Sequence, residues 1–415
     1  MRILYVSQYY PPEMGAPAAR VSELAREWCR LGEQVTVLTA FANHPLGVKR
    51  KADRWRLTRR EETDGVDVVR AYVYAAPNRG LVRRMLSYAS FMVSAVAVGA
   101  LRVRKPDVVI GTSPQLLCAV AAYVLARLKR ARFVFEVRDL WPESILAVEA
   151  MEQNLIVRLL RRCARYLYEH CDQIVTVGDG YRQAIHRRYG VPLDRMVVIP
   201  NGIDEERFRP LPRQGALRRE RGWGERFVAM YVGTLGMAHG LSVVLKAAAK
   251  LRYDASILFV LAGEGAEKTS LQEIARSEGL ANVQFIDQQP RDAVPQLYAA
   301  CDIGLVMLRD TPLFQEVLPS KMFEFLAMER PILLGVKGHA RAIGEASGAA
   351  SFVPPEDPEA LAAAVTEAAG DRARLAEMGR AGRRFVLRQY NRKHQARSYL
   401  RLLEETAAAA REEVA

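Results

Sequence analysis

The sequence predicts an α/β protein made of two doubly wound domains that face a central cleft. Short runs of β-branched residues alternate with stretches of helix length, which is typical of parallel sheets covered by helices on both faces. The alternation is interrupted near residue 201 and then starts again. The 415 residues suffice for two domains of ordinary size, each with its own core.

In the first half, each predicted strand is a short, mainly apolar run followed by a helix-length segment. The predicted strands are Ile3–Ser7, Val35–Thr39, Val66–Tyr74, Asp107–Thr112, Arg132–Val137, Gln173–Val177 and Met196–Pro200. The clearest helices are predicted at Ala16–Leu31, Pro114–Lys129 and Leu155–Cys171. Residues 1–203 are therefore predicted to form the first domain.

The interruption begins at Asn201-Gly202 and continues through Pro210-Leu211-Pro212 and an Arg-rich stretch to Arg226, which together indicate a linker. The strands predicted after it are Phe227–Gly233, Ile257–Ala262, Val283–Ile286, Ile303–Met307, Ile332–Val336 and Ala350–Val353. An Ala- and Arg-rich helix is predicted from about Asp371, with a break near Tyr390-Asn391. We expect residues 204–390 to form the second domain and 391–415 a helix that packs back towards the first.

The positive charge is concentrated in the first half. Residues 1–200 carry 31 Lys/Arg against 19 Asp/Glu, whereas residues 201–415 carry 29 against 28. The first half is thus expected to face an anionic partner, unless the excess is simply a solvated Arg-rich surface. No leader precedes the first strand pattern and the five cysteines form no close pairs, so we expect a cytoplasmic protein with reduced thiols.

The segment Met85–Leu101 is 17 residues without a charge, between Arg83-Arg84 and Arg102. It is shorter than the roughly 20 residues of a usual membrane span and contains three serines. Two interpretations remain: a buried helix of the first sheet, or a helix whose exposed apolar face and basic ends lie on a membrane surface.

The most informative motif is Glu316-Val317-Leu318-Pro319-Ser320-Lys321-Met322-Phe323-Glu324. Ser320 is predicted to cap a helix whose free N–H groups receive a phosphate, and Lys321 adds a formal positive charge. Glu316 precedes this helix and Glu324 lies about one turn inside it. Two acceptors therefore flank one anion site, as a phosphate-linked sugar with hydroxyl groups on both sides requires.

Two glycine-rich turns follow predicted strands of the same domain. The turn from Gly233-Thr234 to His239-Gly240 leaves backbone N–H groups free to meet a phosphate at a helix N-terminus. Gly263-Glu264-Gly265 is a second turn of close approach. Each turn alone is weak evidence, and His239 is as readily an ordinary loop histidine.

Two further groups follow strands of the first half. Gly15 lies in the turn between the first strand and the first helix, where the backbone can approach a sugar or phosphate. Arg138-Asp139 follows the strand that ends at Val137. Asp139 is the candidate carboxylate of the cleft and Arg138 its charge partner or a phosphate ligand. A surface ion pair is the alternative. We find no metal-ligand cluster in the sequence.

These segments together resemble the family 4 glycosyltransferases, which have two Rossmann-like domains in the GT-B architecture. The resemblance spans nearly the whole chain, including Tyr9–Arg20, Val137–Glu143, Gly233–Gly240, Gly263–Gly265 and Glu316–Glu324. Tyr9-Tyr10-Pro11-Pro12-Glu13 together with Arg138-Asp139-Leu140-Trp141-Pro142 is similar to the bacterial subgroup that adds N-acetylfucosamine-type sugars to O-antigen or capsule precursors. The resemblance implies a UDP-sugar donor, anomeric retention, no cofactor or essential metal, and a lipid-linked or oligosaccharide acceptor at the inner face of the plasma membrane.

The family's residue roles carry over unevenly. Glu316 matches the acid that binds donor-sugar hydroxyls, and Glu324 the acid that holds the ribose. Where the family often has an Arg and a Lys for the diphosphate, this chain has Thr234 and His239, so Lys321, backbone N–H groups and Arg138 must compensate. The family's His-Asp pair in the first domain is Arg138-Asp139 here.

Two alternatives remain open. A nucleotide-sugar 2-epimerase has the same architecture and needs no acceptor. A basic module that binds nucleic acid or acidic membranes is suggested by the charge alone, but the sequence contains no nucleic-acid-binding motif, so no nucleic-acid partner is expected.

Overall fold

The structure is a computed structural model that describes residues 1–13, 15–43, 47–75, 81–147 and 155–412. The chain divides into two compact units. Unit 1 consists of Met1–Asn201 together with the C-terminal segment from Arg392, and unit 2 is Gly202–Asn391. The α/β fold class is as predicted.

Unit 1 contains an eight-stranded sheet with helices packed on it. Its strands are β1 (Arg2–Val6), β2 (Gln34–Ala40), β3 (Thr58–Thr63), β4 (Val66–Ala71), β5 (Val108–Thr112), β6 (Arg132–Val137), β7 (Gln173–Thr176) and β8 (Met196–Val198). Its helices are α1 (Ala16–Arg30), α2 (Leu81–Arg102), α3 (Leu116–Lys129), α4 (Glu143–Ala147), α5 (Leu155–His170) and α6 (Asp179–Tyr189), with α15 (Arg392–Glu412) at the C-terminus. The strand order is β3-β4-β2-β1-β5-β6-β7-β8, and every pair except β3 with β4 is parallel.

Strand β3 was not predicted, because Thr58–Thr63 contains no apolar residue. It lies at the edge of the sheet and pairs antiparallel with β4. The turn between them is Asp64-Gly65, and both residues have positive φ angles of 54° and 78°. An Asp-Gly pair in this conformation is a strong hairpin signal, so the sequence did contain a clue to the strand.

The two ends of the chain meet in the core of unit 1. The indole of Trp28 on α1 donates a hydrogen bond to the carbonyl oxygen of Ala396 on α15, at 2.9 Å. The ring of Tyr399 packs edge-on against the same indole, with centroids 5.3 Å apart. Helix α15 is therefore part of the core of unit 1, although unit 2 precedes it in sequence.

Helix α2 combines features of both interpretations of the apolar segment. The stretch Arg83–Arg102 is long and apolar enough to cross a membrane by length and composition alone. However, its inner face packs on α3 and β2. A Cβ at Gly99 would lie 2.6 Å from a methyl group of Leu125 and 3.0 Å from one of Leu38. Little more than a quarter of the apolar window is buried, so its outer face remains exposed.

Unit 2 contains a parallel six-stranded sheet. Its strands are β9 (Phe227–Val232), β10 (Ile257–Ala262), β11 (Val283–Ile286), β12 (Ile303–Met307), β13 (Ile332–Gly335) and β14 (Ala350–Phe352), in the order β11-β10-β9-β12-β13-β14. Its helices are α7 (Ala216–Glu220), α8 (Ser242–Lys250), α9 (Lys268–Ser277), α10 (Val294–Ala300), α11 (Ser320–Ala327), α12 (His339–Ser347), α13 (Pro358–Gly370) and α14 (Arg372–Gln389). The predicted break near Tyr390 separates α14 from α15.

The Arg-rich stretch before Arg226 is not a loose linker, and this interpretation was wrong. Arg218 is fully buried, and its Nη2 atom lies 2.7 Å from Oδ2 of Asp302. Arg213 binds the other oxygen of the same carboxylate. Asp302 also accepts a hydrogen bond from the backbone N–H of Val228 in β9, at 2.8 Å. The arginines therefore attach this segment to the sheet of unit 2.

Candidate active site

Most of the predicted site residues lie at one edge of the sheet of unit 2. Strand β9 pairs with β10 on one side and with β12 on the other, so the strand order reverses at β9. Ligands of doubly wound sheets bind at such a switch point, outside the carboxyl ends of the strands. The two glycine-rich turns follow β9 and β10, and the two glutamates lie in the segment that follows β12.

The two glycine-rich turns interlock through their backbones. Gly233 N–H donates to the carbonyl of Ala262, and Leu235 N–H donates to the carbonyl of Glu264, both at 2.9 Å. A Cβ at Gly263 would lie 1.9 Å from the carbonyl oxygen of Gly233. One at Gly265 would lie 2.2 Å from that of Leu235. Gly263 and Gly265 are thus needed so that the second turn can support the first.

Helix α11 begins at Ser320, and the capping position is Pro319. The prediction that Ser320 caps the helix through its side chain was therefore wrong, and no side-chain hydrogen bond caps this end. Proline at this position leaves the N–H groups of the first turn without a side-chain acceptor. Ser320 and Lys321 instead occupy the first two positions of the helix.

Lys321 extends from α11 to the turn after β9. Its ammonium donates to the hydroxyl of Tyr231 at 2.6 Å, and a Cβ at Gly233 would lie 2.9 Å from Nζ. The Tyr231 hydroxyl in turn donates to the carbonyl of Thr234 at 2.8 Å. Burial lowers the pKa of Lys321 to about 7, against the opposing effect of Glu324. The ammonium of Lys321 therefore lies beside the turn from Gly233 to Gly240, which contains no Lys or Arg.

His239 does not supply a charge. Its Nδ1 atom lies 3.3 Å from the carbonyl oxygen of Met307, so we assign the proton to Nδ1. Burial, reinforced by the charge of Lys321, lowers the pKa of His239 to about 3. The imidazole is thus neutral at physiological pH, and Nε2 is an acceptor. Gly240 follows in the left-handed conformation, with φ of 56°, and leads into α8.

The two glutamates lie on either side of the start of α11. Glu316 ends a short 3₁₀ turn, Phe314–Glu316, and its Oε2 atom lies 3.7 Å from Nε2 of His339 at the start of α12. The turn is held against α12 at Gly338, where a Cβ would lie 2.1 Å from the carbonyl oxygen of Gln315. Glu324 lies in the second turn of α11 and accepts a hydrogen bond from the hydroxyl of Tyr298.

Thr234, Glu264 and Gly265 are exposed, whereas the other predicted site residues of unit 2 are buried or half-buried. Glu264 forms an ion pair with Lys268, four residues later at the start of α9. Thr234 contributes its carbonyl oxygen to the Tyr231 hydroxyl, as described above. Among the residues that the structure describes, no group of three or more His, Cys, Asp or Glu residues could hold a metal ion.

The remaining three predicted residues belong to unit 1. Gly15 immediately precedes α1 with φ of 127°, and Nη1 of Arg138 lies 3.4 Å from the carbonyl oxygen of Pro17 in the first turn. The backbone N–H groups of Arg138 and Asp139 both donate to Oγ of Ser113. Burial raises the pKa of Asp139 to about 6, opposed by its hydrogen bond with Ser144. Arg138 is turned towards α1 and does not pair with Asp139 across an exposed surface.

Sequence reasoning missed three residues beside the site in unit 2: Tyr231, His339 and Arg309. Arg309 follows β12, and its N–H donates to the carbonyl of Ala238 at 3.0 Å. A Cβ at Gly240 would lie 3.3 Å from Cγ of Arg309. The position of Tyr231 two residues before Gly233 was visible in the sequence. The approach of Arg309 and His339 depends on tertiary structure.

The two halves of the chain match two families. Residues 15–202 match the glycosyl transferase 4-like domain, and residues 214–385 match the glycosyl transferases group 1. The chain is 29% identical over 381 residues to WcaI of Escherichia coli, which is described as a colanic acid biosynthesis glycosyl transferase; the match covers 89% of this chain and 92% of that protein.

A second relative is WbjE of Pseudomonas aeruginosa, described as a glycosyltransferase. It is 29% identical over 273 residues, which are 64% of this chain and 67% of that protein. A similar solved structure is that of Anabaena Alr3699/HepE in complex with UDP and glucose. It has a TM-score of 0.74 at 17% identity and covers 98% of this chain and 100% of that chain. This likeness confirms the fold class.

Proposed function

Because the chain is a glycosyltransferase of the GT-B class, we propose that it uses a UDP-sugar donor and retains the anomeric configuration. The sugar is an N-acetylated amino-deoxyhexose, and the acceptor is lipid-linked or an oligosaccharide in surface polysaccharide synthesis. The protein would act in the cytoplasm, peripherally at the inner face of the plasma membrane. The Anabaena protein was solved with UDP, and the WcaI relative belongs to polysaccharide synthesis, which supports the donor and the pathway class.

One observation carries the proposal most directly: a cation lies against a glycine turn at the switch point of a doubly wound sheet. Nζ of Lys321 is placed beside Gly233, at the start of the turn that leads to α8. Glu316 and Glu324 are carried on either side of the start of α11. This arrangement offers a positive charge to a diphosphate and acceptor oxygens to the hydroxyl groups of a sugar and a ribose.

In the proposed reaction, the bond between C1 of the sugar and the diphosphate oxygen breaks. The acceptor hydroxyl attacks C1 from the face of the sugar that the diphosphate leaves. Negative charge develops on the departing diphosphate, where Lys321 and the N–H groups of the turns stabilise it. The sugar passes through a state with oxocarbenium character. The acceptor proton moves to an oxygen of the leaving phosphate, so that no separate general base is needed.

Within unit 1, Asp139 and Arg138 are the proposed catalytic residues. The raised pKa of Asp139 keeps part of its carboxyl population protonated near neutral pH, in which form it can donate as well as accept a hydrogen bond. We further propose that the reaction needs no metal ion, as the resemblance to family 4 implies. Transfer should then be unchanged by a chelator, and restoration of lost activity by a divalent cation would contradict this.

The first experiment is calorimetric titration of the full-length protein with UDP and GDP, side by side. Binding of UDP with GDP inert supports the proposed donor class. Preference for GDP would keep the transferase and overturn the UDP assignment. Conversion of a UDP-sugar without any acceptor would instead favour the 2-epimerase.

Replacement of Glu316 tests the role of the sugar-binding acid. Glu316→Ala should lower kcat/KM by a factor of about 100 or more, because its carboxylate is proposed to bind the donor sugar in the transition state. UDP affinity should remain close to that of the unchanged protein. Glu273→Ala, an exposed glutamate on α9, is the matched control. Unchanged transfer by Glu316→Ala would contradict the assignment.

A further inference from the structure

Unit 1 has an exposed apolar and basic segment, residues 47–57, that the donor site does not use. Trp55 is 86% exposed, and Val48 and Leu57 are each 71% exposed. The other three tryptophans of the chain, Trp28, Trp141 and Trp223, are all buried. Exposure of three large apolar side chains to water within one short segment is unfavourable, so this patch indicates an interaction surface.

The charge of this segment is strongly positive. Its cations are Lys49, Arg50, Lys51, Arg54 and Arg56. Its single acid, Asp53, is buried and accepts a hydrogen bond from Nη1 of Arg59 at 2.6 Å. The charge that the segment presents to solvent is therefore almost entirely cationic.

Helix α2 continues this surface through Tyr72. Nζ of Lys49 lies 3.9 Å from the centroid of the Tyr72 ring. The carbonyl of Tyr72 accepts a hydrogen bond from Ser94 of α2, and the N–H of Tyr74 donates to Ser90 of α2 at 2.8 Å. The segment and the helix thus attach to the same short stretch after β4.

The outer face of α2 is apolar along most of its length. Leu86, Val93 and Leu101 are 53%, 64% and 84% exposed, at spacings that place them on one side of a helix. The helix contains no acidic residue and has arginines near both ends. Its inner face is occupied by α3 and β2, as the close approach at Gly99 shows. The outer face of the helix can therefore lie on a bilayer while its inner face stays packed against α3 and β2.

We propose that segment 47–57 and the outer face of α2 form a membrane-docking surface that binds the headgroup region of an anionic phospholipid bilayer. An exposed tryptophan is suited to the membrane–water interface, and lysines and arginines near it are attracted to anionic lipids. A second copy of the chain would bring like charges together. Nucleic acid would be contacted by the cations but would leave the aliphatic side chains exposed.

This inference rests on the proposed function in one respect, since a lipid-linked acceptor would give the docking its purpose. Binding to vesicles does not require transfer, however. The test therefore measures membrane binding and UDP binding separately on the same full-length protein. Loss of one without the other distinguishes failure of the docking surface from failure of the proposed function.

The main experiment uses the fluorescence of Trp55, the one exposed tryptophan among the four. The protein is titrated with vesicles of phosphatidylcholine alone and of phosphatidylcholine with one-third phosphatidylglycerol. With the anionic vesicles we expect a blue shift and quenching by brominated lipid chains. Trp55→Phe should abolish both signals while binding, measured by co-sedimentation, is largely kept.

Variants separate the charged and apolar contributions. Arg50→Ser with Lys51→Ser should lower partitioning onto the anionic vesicles by roughly tenfold or more, because each cation near such a surface contributes to binding. Trp55→Ser should also lower it several-fold. The matched controls lie in unit 2: Lys246→Ser with Arg380→Ser for charge, and Tyr253→Ser for an exposed aromatic ring. All variants should bind UDP as the unchanged protein does.

The proposal is supported if binding to anionic vesicles is lost in the surface variants and kept in the controls. It is overturned if the protein ignores anionic vesicles, or if the surface variants bind them as well as the controls do. Concentration-dependent dimerisation abolished by Trp55→Ser, or duplex DNA binding at moderate salt, would assign the surface to another partner and overturn it equally.

Discussion

At the scale of single residues, the position of Lys321 decides how the site can bind a diphosphate. Thr234 and His239 leave the turn without the cations that the resemblance leads one to expect, and His239 is held neutral by burial. Lys321 reaches the same turn from another element, and its ammonium is paired with the neutral hydroxyl of Tyr231. An ammonium held beside a glycine turn in this way is placed to bind an anionic ligand.

This arrangement predicts that donor binding takes up a proton. In the free protein the pKa of Lys321 is about 7, and a bound diphosphate should raise it. Above pH 7 the lysine must then be protonated on binding, so the affinity for UDP-glucose should fall about fivefold from pH 7 to pH 8. Below pH 7 the affinity should change little, because Lys321 is then mostly protonated already and the pKa of His239 is about 3. Calorimetry in buffers of different ionisation enthalpy measures the proton uptake.

The matched variant for this prediction is Lys321→Arg, which keeps its charge over the whole range. It should bind with an affinity that is independent of pH between 7 and 8.5 and without proton uptake. A wild-type profile as flat as that of the variant would show that Lys321 does not titrate on binding.

A second residue-scale feature is the buried ion pair of unit 1. Nε of Arg20 lies 2.9 Å from Glu136, and both side chains are almost completely buried. Burial alone would raise the pKa of Glu136, but the charges of Arg20 and Arg138 and the hydroxyl of Tyr5 hold it below its ordinary value. Arg20 also donates to the carbonyls of Ile199 and Pro200, which ties α1 to the segment after β8.

Removal of one partner should therefore be costly. Glu136→Ala should lower the free energy of unfolding of unit 1 by about 3 kcal/mol, because Arg20 would remain buried without its counter-charge. Urea unfolding followed by hydrogen exchange in unit 1 measures this loss. Glu62→Ala on β3, an exposed glutamate, should change stability by less than about 0.5 kcal/mol. Equal effects of the two substitutions would refute the argument.

At the scale of elements, the turns after β9 and β10 form a single support. Their backbones approach so closely that neither Gly263 nor Gly265 can carry a side chain without displacing the other turn. Sequence reasoning assigned these glycines to close approach of a ligand, whereas the structure shows close approach of another turn. The glycine turn that carries Gly233 is therefore held in position before any ligand arrives.

Gly265→Ala should disturb this support. Its Cβ would lie 2.2 Å from the carbonyl oxygen of Leu235, so we expect unit 2 to lose about 3 kcal/mol of stability and UDP affinity to fall at least about tenfold. Gly370→Ala at the end of α13 is the control, because nothing lies within 4 Å of its added methyl group. Normal UDP binding by Gly265→Ala would show that the turns can separate without consequence.

At this scale, the sequence could predict the strands that are buried on both faces. The parallel strands are apolar on both faces, so β1, β5, β9 and β10 were evident as short apolar runs. Strand β3 is polar because it lies at an edge, and only its Asp-Gly turn indicated it. The Arg-rich segment resembled a linker because Asp302, its partner, lies far away in sequence.

At the scale of the whole molecule, the chain leaves unit 1 after Asn201 and returns to it at Arg392. The first unit is thus discontinuous in sequence, and its core is completed only by α15. We expected this helix to pack back towards the first domain, but its alanines and arginines did not indicate which of its side chains enter the core. Leu403 and Tyr399 are fully buried there, in the same core as Tyr5 and Trp28.

Because unit 1 is discontinuous in sequence, its core depends on side chains of α15. Leu403→Ala should lower the stability of unit 1 by about 3 kcal/mol, because it leaves a cavity in a core formed by the two ends of the chain. Unit 2 has its own core and should keep its UDP affinity. Hydrogen exchange should show lost protection in β1 and β5 with β9 and β10 unchanged. Leu128→Ala, an exposed leucine of α3, should alter neither unit. If Leu403→Ala instead weakened protection equally in both sheets, the two units would unfold as one cooperative body.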